Sequence, residues 1–370
     1  MKKCIVISDS FKGSLSSSSI CGIVRQTACP GWMLEAIPVA DGGEGTVDCF
    51  LDACGGQRIE VEVTGPLHHP VQAAYAMLPD GTAVVECASA AGLPQVEGHP
   101  DPAGATTYGV GQLMRHAAEN GAARLILGLG GSCTNDGGCG AAAALGVRFL
   151  DGSGESFVPT GATLQRIAHI ELSGLNRSFA ALPLTVMCDI DNPMYGPNGA
   201  AYVFAPQKGA DPSLVEQLDR GLVHLAEVIR QELGLDVSAL PGVGAAGGFG
   251  AGCVAFLGAQ LRSGIDTVLD TVDLDRRLPG CDLVITGEGK LDSQSLGGKV
   301  ISGVAARCHR AGVPVLALVG LVDLPPAQIT DGGLVDAVSI NPPEITLDEA
   351  MRSAADNYRA ALAQVLHRYA

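Results

Sequence analysis

Aromatic side chains make up only 4% of the 370 residues and charged side chains only 17%, with one tryptophan in the chain. Such a composition excludes a disordered or fibrous polypeptide, because both of those are rich in charge or in a short repeat. Basic residues are also scarce. Lys and Arg number 23 against 39 Asp and Glu, a net charge of −16, so the surface has no broad positive field to draw nucleic acid or an anionic membrane. An anionic ligand must therefore be met by a few local cations and by backbone N–H groups. The twelve cysteines include no Cys-x-x-Cys, and the closest pairs, Cys49/Cys54 and Cys133/Cys139, have neither zinc-ribbon nor redox spacing. They read as small buried hydrophobes in a reducing compartment. The longest apolar run, around Val313 to Val322, is half of a membrane span, and the run Ile5–Ile7 behind Lys2 and Lys3 stops at Asp9, too early for a secretory signal. The expectation is a soluble cytoplasmic protein.

Several catalytic signatures are missing too. No G-x-x-x-x-G-K-[ST] occurs, which excludes a Walker phosphate loop. A G-x-G-x-x-G falls at Gly242, Gly244 and Gly247, but Pro241 precedes it with no apolar strand, so a dinucleotide fingerprint is not expected. G-x-S-x-G and His-x-x-x-His are absent, and the eight histidines form no cluster.

What is present is a chain that is 47% hydrophobic, built largely from Ala, Val, Leu and Gly, which suits buried parallel sheets wrapped by small-residue helices. Its length predicts two domains. Short apolar runs end in Gly, Asp or Ser: Cys4–Ile7 before Ser8-Asp9, Leu125–Leu127 before glycines, Leu184–Cys188 before Asp189, Leu283–Ile285 before Gly287, and Val315–Val319 before Gly320. Strands that stop this way and lead into helices predict α/β units with crossover connections. A helix is predicted over Leu15–Ala28. Capping boxes at Ser213/Glu216 and Thr346/Glu349 predict two more, the last running to the C-terminus with Met351, Ala354, Ala355, Tyr358, Leu362, Val365 and Leu366 on one face. In contrast, Ile59, Val61 and Val63 alternate with Glu60 and Glu62, and Val71–Met77 and Thr82–Glu86 flank Pro79-Asp80-Gly81, which predicts an antiparallel meander. These patterns place residues 1–60 with 270–370 in one parallel-sheet domain, and residues 61–269 in a mixed-sheet domain inserted in it.

The chemistry is expected in the loops. Gly128–Gly138 lies between an apolar strand and a helix predicted over Ala141–Leu145, where free N–H groups and the positive helix end would suit phosphate. Gly130 and Gly131 would let the backbone approach an anion, and Ser132, Thr134 and Asn135 could donate to it; a plain βα turn with an Asn or Asp cap has the same composition. Asp41 and Glu44 share a glycine loop able to hold Mg²⁺ through water or to orient a hydroxyl, although a turn before a capped helix near Thr46 would also account for it. Asp189 and Asp191 end a strand one residue apart, a recurrent way to bind Mg²⁺ or place a general base. Lys208, between Gln207 and Gly209, is either an anion contact or an exposed surface lysine. Glu288, Lys290 and Asp292 crowd both signs of charge into one loop at a strand's C-terminal end. Together these loops answer the needs of phosphoryl transfer, which requires positioning and charge neutralisation.

The sequence closely resembles the bacterial glycerate kinases of the type I group. The likeness rests on Asp9-Ser-Phe-Lys-Gly-Ser14, Asp41-Gly-Gly-Glu-Gly-Thr46, Gly128-Leu-Gly-Gly-Ser132 with Thr134-Asn-Asp-Gly137, Cys188-Asp-Ile-Asp-Asn-Pro193, Pro206-Gln-Lys-Gly-Ala210, Gly244-Ala-Ala-Gly-Gly248, and Thr286-Gly-Glu-Gly-Lys-Leu-Asp292 with Gly298-Lys299. The resemblance implies transfer of the ATP γ-phosphate to D-glycerate with Mg²⁺, giving 2-phosphoglycerate. It also implies two α/β domains, one flavodoxin-like and one smaller, with the active site in the cleft between them. Beyond the resemblance, Asp189 is expected as the base or orienter of the glycerate hydroxyl and Asp191 as the Mg²⁺ ligand. The loop residues Gly130, Gly131, Ser132, Thr134, Asn135 and Asp136 are expected at the ATP phosphates. Lys290, as a catalytic cation, and Lys12 are expected at the carboxylate or the transferring phosphoryl group, with Asp41, Glu44 and Asp292 also binding substrate. Transfer to another small hydroxy acid, a 3-kinase, and a non-catalytic metabolite sensor stay open as alternatives. So does a homodimer.

Overall fold

The computed structural model describes residues 1–293, 295–296 and 300–370. Gly298 and Lys299, which carried part of the resemblance, lie outside the described residues. The chain divides into two compact units: Met1–Ala40 with Asp52–Cys54 and Ile265–Ala370, and Asp41–Leu51 with Gly55–Gly264. The first crossing thus falls at residues 40–55, where the sequence pattern placed it at 60.

In the first unit a five-stranded sheet runs in the spatial order Asp336–Ser339, Val315–Val319, Leu283–Gly287, Lys2–Ser8, Trp32–Ala36, and every pair is parallel. Numbered along the unit this is 2-1-3-4-5, the flavodoxin-like doubly wound order. Its central strands are buried along almost their whole length because helices cover both faces, which is why the sequence shows continuous apolar runs instead of alternation. The helix Ser17–Gln26 is shorter than predicted: Ser16 Oγ accepts from the Ser19 N–H and stops it at its start. The C-terminal segment also differs. The Thr346/Glu349 capping box forms, but the helix is two helices, Leu347–Arg352 and Ala354–Arg368, separated at Ser353, whose hydroxyl donates back to the Glu349 carbonyl. The second of them buries Tyr358, Leu362, Val365 and Leu366 in the core.

The second unit holds a six-stranded mixed sheet. Gln57–Thr64, Pro70–Met77 and Thr82–Glu86 make the antiparallel meander, after which Arg124–Gly128, Leu184–Met187 and Gln260–Arg262 add in parallel. Register fixes the site. Glu86 lies opposite Gly128, Gly128 opposite Met187, and Met187 opposite Arg262, so four parallel strands end in one row and their following loops converge. A small three-stranded antiparallel sheet, Ser156–Phe157, Arg148–Leu150 and His169–Glu171, had no clear sequence signal. The long helix Pro212–Leu233 is capped by Asp211, two residues before the predicted cap Ser213. Asp211 Oδ1 accepts from the Leu214 N–H and Pro212 fills the first turn, where a missing N–H costs nothing.

Candidate active site

The loop after Arg124–Gly128 is shaped by close backbone approach. A Cβ on Gly128 would sit 2.3 Å from the Gly42 carbonyl oxygen and one on Gly130 would sit 2.6 Å from Gly43 Cα, while the Gly130 N–H donates to the Gly42 carbonyl at 2.9 Å. These glycines therefore press the loop onto the segment that carries Asp41, instead of opening the backbone to an anion as the sequence reading expected. Leu93 N–H to the Gly131 carbonyl and Cys133 N–H to the Ala91 carbonyl, both 2.9 Å, pin the other side. Glu86, buried at the end of its strand, accepts from the Val47 N–H and anchors the start of the helix Thr46–Cys54 just beyond Asp41.

A second expectation also changes. The helix after the loop is only Cys139–Ala144, and its leading N–H groups are already used: Gly138 and Gly140 donate to the Asp136 carboxylate, and Ala141 donates to Thr107 Oγ1. Thr107 in turn donates to Asp136 through both its N–H and its hydroxyl, each 2.8 Å. Asp136 thus accepts four hydrogen bonds from its own chain and is fully buried, and that burial pushes its carboxyl above the usual range. It shapes the loop and has no capacity left for a phosphate. Next to it the Thr134 hydroxyl and both amide atoms of Asn135 are buried without a partner, an arrangement that costs roughly 1–3 kcal/mol per group unless a ligand supplies one.

The converging loops enclose a cavity of about 240 Å³ walled by Asp41, Gly130, Gly131, Ser132, Asp189 and Lys208, with apolar surface from Leu129, Phe204 and Ile190. Lys208 decides its character. Its side chain is only 3% exposed. Nζ donates to Ser132 Oγ at 2.9 Å and to the Thr134 carbonyl at 2.7 Å, and among the described residues no carboxylate lies within ion-pair distance of it. Burial brings its pKa down to about 8, partly opposed by the thiols of Cys87 and Cys133 and by Asp136. A buried cation without a counter-ion is unfavourable by itself and becomes favourable when an anion enters the cavity. Asp189 reaches the same wall with its Oδ1 held by the Gly264 N–H at 2.8 Å. Ala246 also lines the cavity and has φ +52°, an uncommon value for a residue with a Cβ and the kind of strain that collects at ligand sites.

Of the residues singled out from sequence, Asp41, Gly130, Gly131, Ser132 and Asp189 meet at this cavity. Thr134, Asn135 and Asp136 lie in the same loop, whereas Glu44 and Asp191 are exposed and do not line the cavity. Lys12, Lys290 and Asp292 belong to the first unit. There Lys290 Nζ pairs with Asp323 at 2.7 Å and Asp292 at 3.7 Å, and Asp323 holds its ammonium in the charged form. The sequence leaves Lys208 between two readings and gives no role to Glu86, nor to Ala246 within the motif Gly244–Gly248. Only the Gln-Lys-Gly turn hinted at the lysine; Glu86, as an acid closing an apolar strand, left a faint signal.

Among the described residues no three His, Cys, Asp or Glu side chains converge as a closed metal cage. The carboxylates of Asp41 and Asp189 on one cavity wall nevertheless suit Mg²⁺, which keeps most of its waters and takes one or two carboxylates along with substrate phosphates.

A parallel-sheet α/β protein with a cation and carboxylates gathered at strand ends is the construction of an enzyme acting on a small anionic metabolite. The glycerate kinase family profile matches residues 4–370, and this chain belongs to that family. It is 43% identical over 360 residues to a glycerate kinase of Bacillus cereus, covering 96% of this chain and 94% of that one. It is 41% identical over 360 residues to the glycerate 2-kinase of Escherichia coli K12, with the same coverage. The crystal structure of a proposed glycerate kinase 2 from Salmonella typhimurium LT2 superposes with a TM-score of 0.87 at 41% identity, over 99% of this chain and 98% of the other. Family membership implies use of ATP. No helix among the described residues is long and apolar enough to cross a membrane.

Proposed function

We infer that this chain is a glycerate 2-kinase of the type I group, which transfers the ATP γ-phosphate to D-glycerate with Mg²⁺. The observation that carries the reading is the buried ammonium of Lys208, with no carboxylate counter-ion among the described residues, facing a small cavity that also presents Asp189. A three-carbon hydroxy acid needs one anion contact, one group to orient its hydroxyl, and little space; the cavity offers these. Lys208, braced by Ser132, meets the glycerate carboxylate. Asp189, oriented by the Gly264 N–H, accepts the proton of the C2 hydroxyl as that oxygen bonds to the γ-phosphorus. The bond from phosphorus to the β–γ bridging oxygen breaks, and the products are 2-phosphoglycerate and ADP. Asp41 and Asp189, with Asp191 as a further carboxylate on the same strand-end loop, would hold Mg²⁺, which would supply neutralisation of the phosphate charge. The Gly130 N–H is engaged by the Gly42 carbonyl, so in this reading the backbone of Gly131 faces the transferring group, and Thr134 and Asn135 of the same loop offer their unused polar groups.

Lys208 takes the carboxylate contact, for which the sequence offers Lys12 and Lys290 as candidates at the carboxylate or the phosphoryl group, because the Lys290 charge is already matched by Asp323. The test is phosphorus NMR of the product formed from D-glycerate and Mg·ATP. A phosphomonoester resonance coupled to the single C2 proton is expected. Coupling to the two C3 protons would make the enzyme a 3-kinase, and no new ester at all would remove the kinase reading.

A further inference from the structure

The motif Asp9–Ser14 and the C-terminal segment around Asn341 find no role in the acid-binding cavity. Both border a second cavity, of about 700 Å³, contained within the first unit. Its floor is made by residues that follow strand ends of the flavodoxin-like sheet: Phe11 and Lys12 beyond Lys2–Ser8, Gly289 beyond Leu283–Gly287, Gly320 beyond Val315–Val319, and Ile340 beyond Asp336–Ser339. The first two strands are the pair at which the strand order reverses, the place where open α/β sheets receive ligands. The walls are mainly apolar, with Ser14, Ser339, Asn341 and Glu344 as the polar exceptions beside Lys12. Leu321, Leu347 and Met351 stand 54%, 75% and 38% exposed around one opening, a concentration of uncovered apolar surface that marks a binding site. Lys12 is exposed at the same opening, and among the described residues no carboxylate pairs with it. It is held there by Gly13, whose φ of +82° and lack of a Cβ let Met351 Cε pack 2.8 Å from where that atom would stand.

We propose that this cavity binds the purine nucleoside of the phosphoryl donor, with Lys12 meeting the donor's phosphates. The assignment rests on the kinase reading, since it is the kinase that requires a nucleotide. Size separates the two cavities: sites for ligands of nucleotide size run about 300–1,000 Å³, a range that includes 700 Å³ and excludes 240 Å³. Chemistry agrees with size. A flat ring system with polar edges and an anionic tail matches a mainly apolar slot that carries Ser339, Asn341 and Glu344 for the edges and Lys12 for the tail, and a small hydroxy acid does not.

The test is calorimetric titration of the full chain with ADP and, separately, with inorganic tripolyphosphate. Leu321→Glu and Met351→Glu change exposed side chains, so both should fold, and thermal melts check this. Each is expected to weaken ADP at least about tenfold and to leave tripolyphosphate unaffected, whereas Lys12→Met weakens both. The KM for D-glycerate should stay near the wild-type value in the two glutamate variants while that for ATP rises. Unchanged ADP affinity in both folded glutamate variants overturns the assignment, as does a changed oligomeric state without loss of ADP, which would make the surface a protein contact. The two readings fail separately. Wild-type turnover with unaltered ADP binding in the variants removes the nucleotide cavity alone, while loss of ADP binding in the variants of a wild type that never phosphorylates glycerate removes the kinase reading alone.

Discussion

Lys208, at the end of the 3-10 turn Pro206–Lys208, and Lys290, at the start of the short strand Lys290–Leu291, both have a glycine beside them, yet the structure treats them in opposite ways. Lys290 is 48% exposed on its side chain and balanced by Asp323 and Asp292, so its charge is neutralised within the chain and shared with water. Lys208 is buried, braced among the described residues by a hydroxyl and a carbonyl, and opens on a cavity. The difference teaches that a cation's use depends on what its own chain leaves unmatched, more than on the loop that carries it.

That contrast can be broken or sharpened by substitution. The largest effect is expected for Asp189→Asn, which keeps an oxygen for the Gly264 N–H but loses the proton acceptor: kcat should fall about 10²–10⁴-fold with little change in the melting temperature. Lys208→Met should lower kcat/KM for D-glycerate about 10²–10³-fold, chiefly through KM. Gly130→Ala comes next. Its new Cβ would have to displace Gly43, carrying Asp41 with it, and a stability loss of about 1–3 kcal/mol with a lower kcat is expected from denaturant unfolding and initial rates. Smallest is Lys290→Met, for which kcat and both KM values should stay within about threefold of wild type, since only an exposed pair is lost.

The titration of Lys208 gives a further separation between the two lysines. Its folded pKa, about 8, lies below the 10.5 of an ordinary lysine, so between those values the unfolded chain holds more protons and stability rises with pH. Up to about 3 kcal/mol should be gained from pH 8 to 10.5 by this group, and the gain should vanish in Lys208→Met. Activity goes the other way. Loss of the ammonium above pH 8 should lower kcat/KM for glycerate in the wild type, with no matching limb in the methionine variant.

Much of this arrangement could be read along the chain. Parallel strands appear as apolar runs stopped by Gly, Asp or Ser because both of their faces are buried, and Ile59, Val61 and Val63 alternate because one face of their strand meets solvent. Asp41 and Asp189 were recognisable as strand-end or loop acids with nothing apolar to pack. What could not be read depends on partners distant in sequence. Asp136 takes two of its four hydrogen bonds from Thr107, 29 residues earlier, and Lys208 is buried against Ser132, 76 residues earlier. Neither distance leaves a trace in local pattern, so sequence alone points to a ligand contact for the first and leaves the second between a ligand contact and a surface charge. The break at Ser353 was equally hidden, because the apolar spacing continues across it and only the serine hydroxyl's return to Glu349 marks it.

The most direct measurement is steady-state kinetics of Lys208→Met beside Lys290→Met with D-glycerate as the varied substrate at saturating Mg·ATP. A rise in glycerate KM of about 100-fold or more for the first variant, with the second near wild type, is the outcome this account requires. The reverse pattern, with Lys290 essential and Lys208 dispensable in a folded protein, would contradict it.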